Sequence, residues 1–374
     1  MSALRIIIHL SITFIILASG QPLAYAEQDN SKVIKLGMST ALSGSARNIG
    51  QQLHKGSSIY FDKVNKAGGI NGAQVQLLVA NDSYEPKQTV NNTRTFIYSD
   101  KVDALFGTTG TPTSHAILPL LEQTQIPFLM PFSGASFLYE KSRAKIFNLR
   151  ASYNDEAAEQ IKYLVEERKH TKIGLFIQAD EFGLYVESGL RKELAKYDLS
   201  PVKVARYQRN SHDVESALNA LRTSGVTAIC LVGTYAQLSE FINSARAKSF
   251  APDYTSVSFV PSSDLFDEVS TPSSIMVTEI VPNPHSCSDD FCNEFLADMQ
   301  ANNITKPNRI HFEGYINAMA FSRAAARCKS PLKKSCLMKE LNSLLIKDKI
   351  IKKLFLDIEN QNKRNVYRSY YVNK

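Results

Sequence analysis

Apolar positions along this chain recur in two alternating rhythms. Short apolar runs at 33–38, 75–80, 104–107 and 128–131 read as strands. Between them apolar residues fall three and four apart, the helical period. Ile59, Tyr60, Val64 and Ala67 form one such stripe, which stops at Gly68-Gly69, a helix C-terminal signal. A second helix is expected after Pro86, with Val90, Arg94 and Ile97, and a third carries Ala116, Ile117, Leu120 and Leu121. Strand and helix in alternation imply a doubly wound parallel sheet.

The rhythm restarts after Arg150. Strands are expected at 173–178, 202–207, 228–232 and 256–260. Helical stripes run through Ile161, Leu164 and Val165 and through Val214, Ala217, Leu218 and Leu221. The fold class is therefore α/β, with two doubly wound parallel-sheet lobes. Residues 147–153 and 276–281 read as crossings between lobes, the second ended by Pro282 and Pro284, and a long helix at 309–327 returns to the first. The expected division is lobe one at 31–149 and 282–347, and lobe two at 150–281 and 348–374. A chain of 374 residues is long enough for both cores.

The first residues change the picture of where the chain works. Arg5 precedes a mostly apolar stretch from Ile6 to Leu17, and Ala24-Tyr25-Ala26 is a small-x-small cleavage signal. A signal peptide at 1–26, cleavage after Ala26 and a periplasmic location follow as expectations. Export permits disulfides. Cys287/Cys292 and Cys328/Cys336 are close pairs, and Cys230 stands alone in an apolar run. Two local disulfides and one buried thiol are expected. His285 beside Cys287 is the rival, a metal site, but it lacks a fourth ligand. The net charge of +7 is spread along the chain. Solvated lysines account for it, and no nucleic-acid partner is expected.

In open α/β sheets, ligands bind beyond the carboxyl ends of the strands. The loops there are Ser43-Gly44-Ser45, Asp82-Ser83-Tyr84 and Thr108-Thr109-Gly110-Thr111, rich in small hydrogen-bonding residues. Ser43 is a candidate ligand contact on this ground. Thr111 also stands where a helix N-cap would precede Pro112 at the first helical position.

Six segments, in order, carry a resemblance: Ile34-Lys35-Leu36-Gly37 leading to Leu42-Ser43-Gly44; Asn65-Lys66-Ala67-Gly68-Gly69-Ile70-Asn71-Gly72; Asn81-Asp82-Ser83-Tyr84-Glu85-Pro86; Phe106-Gly107-Thr108-Thr109-Gly110-Thr111; Pro131-Phe132-Ser133-Gly134; and Phe312-Glu313-Gly314-Tyr315. Over residues 32–374 the chain resembles periplasmic solute-binding proteins of the branched-chain amino acid (leucine/isoleucine/valine-binding) type. The resemblance implies the type I periplasmic-binding fold with a multi-strand hinge. It also implies that Thr111 and the Ser133-Gly134 loop hold a ligand carboxylate. Phe182 and Tyr235 would close from the second lobe, with Tyr153 and Tyr84 as further aromatic contacts. One departure stands out. Where amino-acid-binding members place an acid against the ligand ammonium, this chain has Phe259-Val260-Pro261-Ser262-Ser263. A buried ammonium without a carboxylate is costly. The ligand is therefore open between an amino acid, a carboxylate and an amide or aromatic acid, with Asp82 or Asp264 as substitutes for the missing acid.

No enzyme constellation is visible. Gly-x-Ser-x-Gly, the phosphate loop and the dinucleotide fingerprint are all absent from the sequence. No catalytic residue, cofactor or metal is expected. The expected function is capture of a small ligand for an ABC-type importer, with a membrane permease as partner. The alternative is a periplasmic sensor that presents the solute to a membrane signalling receptor. The chain is expected to be monomeric.

Overall fold

The computed structural model describes residues 33–211, 213–287, 289–357 and 363–371. The expected signal peptide and its cleavage site lie outside the described residues.

The first sheet is built from β1 (Val33–Thr40), β2 (Gln74–Asn81), β3 (Ala104–Phe106), β4 (Phe128–Leu129) and β5 (Ile146–Phe147), in the order β2-β1-β3-β4-β5 with parallel pairing throughout. Its helices are α1 (Arg47–Lys66), α2 (Pro86–Arg94), α3 (Thr111–Ala116) and α4 (Leu118–Gln123). The stripe expected as one helix around Ile117 is two helices. Pro119 has no N–H to return to the His115 carbonyl, so the helix breaks there.

Next come α5 (Tyr153–Lys162), β6 (Ile173–Gln178), α6 (Glu181–Ala195), β7 (Lys203–Tyr207), α7 (Glu215–Thr223), β8 (Ala228–Val232), α8 (Tyr235–Ala247), β9 (Asp253–Ser256), α9 (Ser262–Glu268) and β10 (Ile275–Glu279). The chain ends with α10 (Asp290–Ala301), α11 (Arg309–Ala326), α12 (Lys334–Lys347), α13 (Lys349–Phe355) and β11 (Tyr367–Tyr370). The second sheet runs β11-β10-β9-β8-β6-β7, parallel except for antiparallel β11 at its edge.

Buried parallel strands are covered on both faces and read as unbroken apolar runs. In β8, Ala228, Cys230 and Val232 join one core while Ile229 and Leu231 join the core on the opposite face, under α7 and α8. Helices α1, α10, α11 and α12 pack together in a third core against the first sheet. In that core Ser57 of α1 donates to the Gly314 carbonyl of α11 at 3.0 Å.

Three expectations need correction. The strand expected at 256–260 ends at Ser256, and residues 257–260 turn, with Val260 N–H bonded to the Val257 carbonyl at 3.1 Å. The stretch 276–281 is largely β10 itself, so the chain leaves the second sheet only after Glu279. The segment from 348 onward divides. Ile351, Leu354 and Phe355 of α13 pack in the first sheet's core, and only β11 pairs in the second sheet.

Candidate functional site

Two capping signals set the site's backbone. Ser152 and Asp155 form a reciprocal capping box at the start of α5, with Ser152 N–H donating to Asp155 Oδ2 at 2.9 Å. This fixes Tyr153 and Glu156 in the first turn, beside the first sheet's edge. Asp180 caps α6 by accepting from the Phe182 N–H at 3.0 Å, which fixes Phe182.

Three hydroxyls meet beyond β3 and β4. Thr111 Oγ1 lies 2.8 Å from Ser133 Oγ and 3.4 Å from the Tyr153 hydroxyl. All three residues are buried. Gly110 occupies the N-cap position of α3, so Thr111 is the first helical residue and its hydroxyl does no capping. Gly110 has φ +100°, and a Cβ there would lie 2.3 Å from the Tyr84 ring. A Cβ on Gly134 would lie 2.7 Å from the Tyr153 ring. Both glycines thus admit an aromatic ring to the site.

The rings converge on Phe259. Tyr84 and Phe132, from first-sheet loops, stand 5.6 and 5.9 Å from it, and Phe182, from the second sheet, stands 4.7 Å away. Tyr153 meets Phe182 at 5.5 Å. Such separations suit tilted aromatic pairs. The turn after β9 that ended the strand early is what delivers Phe259 here.

Beside the rings runs a buried polar chain. The Arg150 guanidinium sits 4.0 Å above the Phe132 ring. Its NH1 donates to both Glu313 oxygens at 2.8 and 2.7 Å, and its NH2 donates to Ser258 Oγ at 2.5 Å. Glu156 accepts from Ser258 N–H at 2.6 Å, Ser258 Oγ at 2.8 Å and Thr278 Oγ1 at 2.6 Å. Burial opposes the Arg150 charge, but Glu313 and Glu156 outweigh it and hold the guanidinium above its ordinary value. Burial pushes the Glu156 carboxyl up to about 7, against the opposing pull of Arg150, Thr278 and Ser258. The chain links α11, the first crossing, the turn after β9, α5 and β10.

The sheets are also joined around the rim. Ser45 donates to Asn210 at 2.6 Å, Arg209 and Asn210 donate to Glu85 at 3.1 and 2.6 Å, and Asn48 donates to Asp264 at 2.9 Å. This is a closed arrangement. Two cavities flank it. One, of about 880 Å³, is lined by residues including Arg47, Glu85, Asn210 and Tyr235. The other, of about 830 Å³, is lined by residues including Asp264, Glu279, Asn308 and Arg309.

Of the residues expected from sequence, Thr111, Ser133, Gly134, Tyr84, Tyr153 and Phe182 come together. Tyr235 instead lines the 880 Å³ cavity at the rim. Ser43 is bonded to Ser83 at 2.8 Å in an exposed loop. Neither substitute acid reaches the rings with free oxygens. Asp82 accepts from Ser39 of β1 at 2.8 Å, Thr89 of α2 at 3.1 Å and Tyr84 N–H at 2.9 Å, which commits it to pinning its own loop. Asp264 belongs to the rim. Arg150, Glu156, Phe259 and Glu313 were not singled out from sequence. Cys287–Cys292 and Cys328–Cys336 are disulfides, so the thiols a metal would need are spent, and Cys230 is a buried free thiol.

Two α/β lobes, each built on a parallel-dominated sheet, meet on a shared cluster at their strand ends. The profile of the periplasmic binding protein family matches residues 33–373, and the chain belongs to that family. A possible leucine/isoleucine/valine-binding protein from Rhodopirellula baltica is 28% identical, with TM-score 0.81, over 92% of this chain and 95% of that one. A substrate-binding periplasmic protein from Ralstonia solanacearum is 25% identical, with TM-score 0.80, over 90% and 97%. An amino acid binding protein of Pseudomonas aeruginosa is 22% identical over 60% of this chain and 60% of that protein. The match thus spans about three-fifths of that curated relative's length.

Proposed function

We propose that this chain is the exported solute-capturing component of an ABC-type importer, working in the periplasm and handing its ligand to a membrane permease. The observation that carries the reading is the cluster itself. Hydroxyls and rings from the first sheet's loops (Thr111, Ser133, Tyr84, Phe132) meet rings from the second (Phe182, Phe259). Neither lobe holds a complete set, so a solute between them gains full contact only on closure. The lobes divide near residues 149/150 and 281/282, and the segments passing between the sheets act as the hinge. The amino-acid-binding and leucine/isoleucine/valine-binding names of similar proteins support a small solute bearing a carboxylate, held by Thr111 and Ser133. Amides of the β3–α3 and β4–β5 loops add to this hold.

The test is mass spectrometry of small molecules released by unfolding gently purified protein, followed by titration of what is found. One solute per chain, bound with an affinity that Thr111→Ala weakens, is expected. A chain that releases nothing and binds no member of a panel of amino acids and carboxylic acids contradicts the reading.

A further inference from the structure

The charges around the rings are unevenly matched. Arg150 is 1% exposed, and its Nε has no hydrogen-bond partner, while NH1 and NH2 are both occupied. Its guanidinium lies over Phe132, whose neighbour Ser133 belongs to the hydroxyl trio, and its charge acts on the Tyr153 hydroxyl. The carboxylates nearby are committed in the opposite sense. Glu313 is held by Arg150, Glu156 by Ser258 and Thr278, and Asp82 by Ser39, Thr89 and Tyr84. Asp180 is held by the α6 N-terminus and by Gln178 at 2.7 Å. A buried N–H without a partner asks for an acceptor. A ligand ammonium would find rings in place of a free carboxylate.

We propose that the site takes a carboxylate with an aromatic or similarly flat apolar body and no ammonium group, and that Arg150 Nε and the Thr111, Ser133 and Tyr153 hydroxyls receive its carboxylate. The body enters between the first-sheet rings (Tyr84, Phe132) and Phe259 when the lobes part, replacing the ring contacts that now cross between them. Arg150 then sets specificity through Nε, the N–H left over while NH1 and NH2 hold Glu313 and Ser258, a division of donors that lysine cannot reproduce. This inference rests on the proposed capture of a solute between the lobes.

The experiment is calorimetric titration of the purified protein, refolded free of bound solute, with benzoate, benzamide, phenylalanine and leucine. The parent and Arg150→Lys are compared, and mass spectrometry identifies any solute the parent carried. Arg150→Lys keeps the charge opposite Glu313, and its thermal melt reports whether it folds. Phe259→Glu serves as the second variant, placing a carboxylate among the rings. The expected result is at least tenfold tighter binding of benzoate than of benzamide or phenylalanine. Arg150→Lys should collapse the benzoate-over-benzamide ratio toward one, and Phe259→Glu should shift preference toward phenylalanine. Tighter binding of leucine or phenylalanine by the parent, or a carried solute bearing an ammonium, overturns the ligand class and leaves solute capture standing. An unchanged ratio in folded Arg150→Lys overturns the role of Arg150. If nothing binds and nothing is carried, both readings fail together.

Discussion

Thr111 and Ser133 were named through the family resemblance, and the structure brings their hydroxyls to within 2.8 Å of each other. Arg150 was not singled out, since an arginine in a polar-looking crossing gives no sign that tertiary packing will bury it against Glu313, 163 residues away. Phe259 was missed for a related reason. It looked like part of a strand, and only the turn after Ser256 swings it to the rings. A hydrogen bond to a charged group is worth about 1.5–3 kcal/mol. Thr111→Ala should therefore weaken solute binding about tenfold to a hundredfold. Lys192→Ala, on the exposed face of α6, should leave it unchanged in the same titration. Cys230 offers a second test at this scale. Burial pushes its thiol up to about 12, so neither thiolate nor access is present in the native state. A thiol reagent should label it only when denaturant is added, and labelling at the native rate of a free thiol would contradict its placement.

Helix α5 shows how an element ties packing to charge. The structure shows its capping box at Ser152 and Asp155, and the fate of Glu156 one residue later depends on Ser258 and Thr278 arriving from the turn after β9 and from β10. The Glu156 carboxyl is raised from 4.5 to about 7, so between those values the folded state holds a proton that the unfolded chain has released. Its contribution to stability is full below pH 4.5 and declines as the pH rises to about 7. Glu156→Gln removes that decline. The variant should gain on the parent by at most about 3 kcal/mol across this window, read from urea melts at each pH. A constant difference would show that Glu156 does not titrate there. The start of α3 gives a steric test. Gly110→Ala puts a Cβ 2.3 Å from the Tyr84 ring at a φ of +100°. It should lower the melting temperature and weaken solute binding together, because Tyr84 must move.

At the scale of the molecule, the alternation of strand and helix was sufficient to foresee two lobes, since covered parallel strands write themselves as apolar runs. The two disulfides were foreseen as well, from close spacing in a chain with an export signal. What alternation could not show was how the end of the chain is shared, with α13 in one core and β11 in the other sheet, because short elements carry little periodicity. The disulfides close loops of sequence separation 5 and 8. Short loops give modest stabilisation, ~2 kcal/mol each in the chain-entropy model. Reduction should lower stability by about that amount per bond without abolishing solute binding, since neither bond touches the rings.

On the proposed reading the solute lies where rings and hydroxyls from both sheets meet, and closure completes its contacts. Hydrogen exchange of the solute-free and solute-saturated protein tests this most directly. Protection should concentrate in residues 108–113, 132–135, 153–157 and 257–260. Protection confined to the rim cavity, at residues 44–47 and 235–240, with the ring segments unchanged, would contradict it.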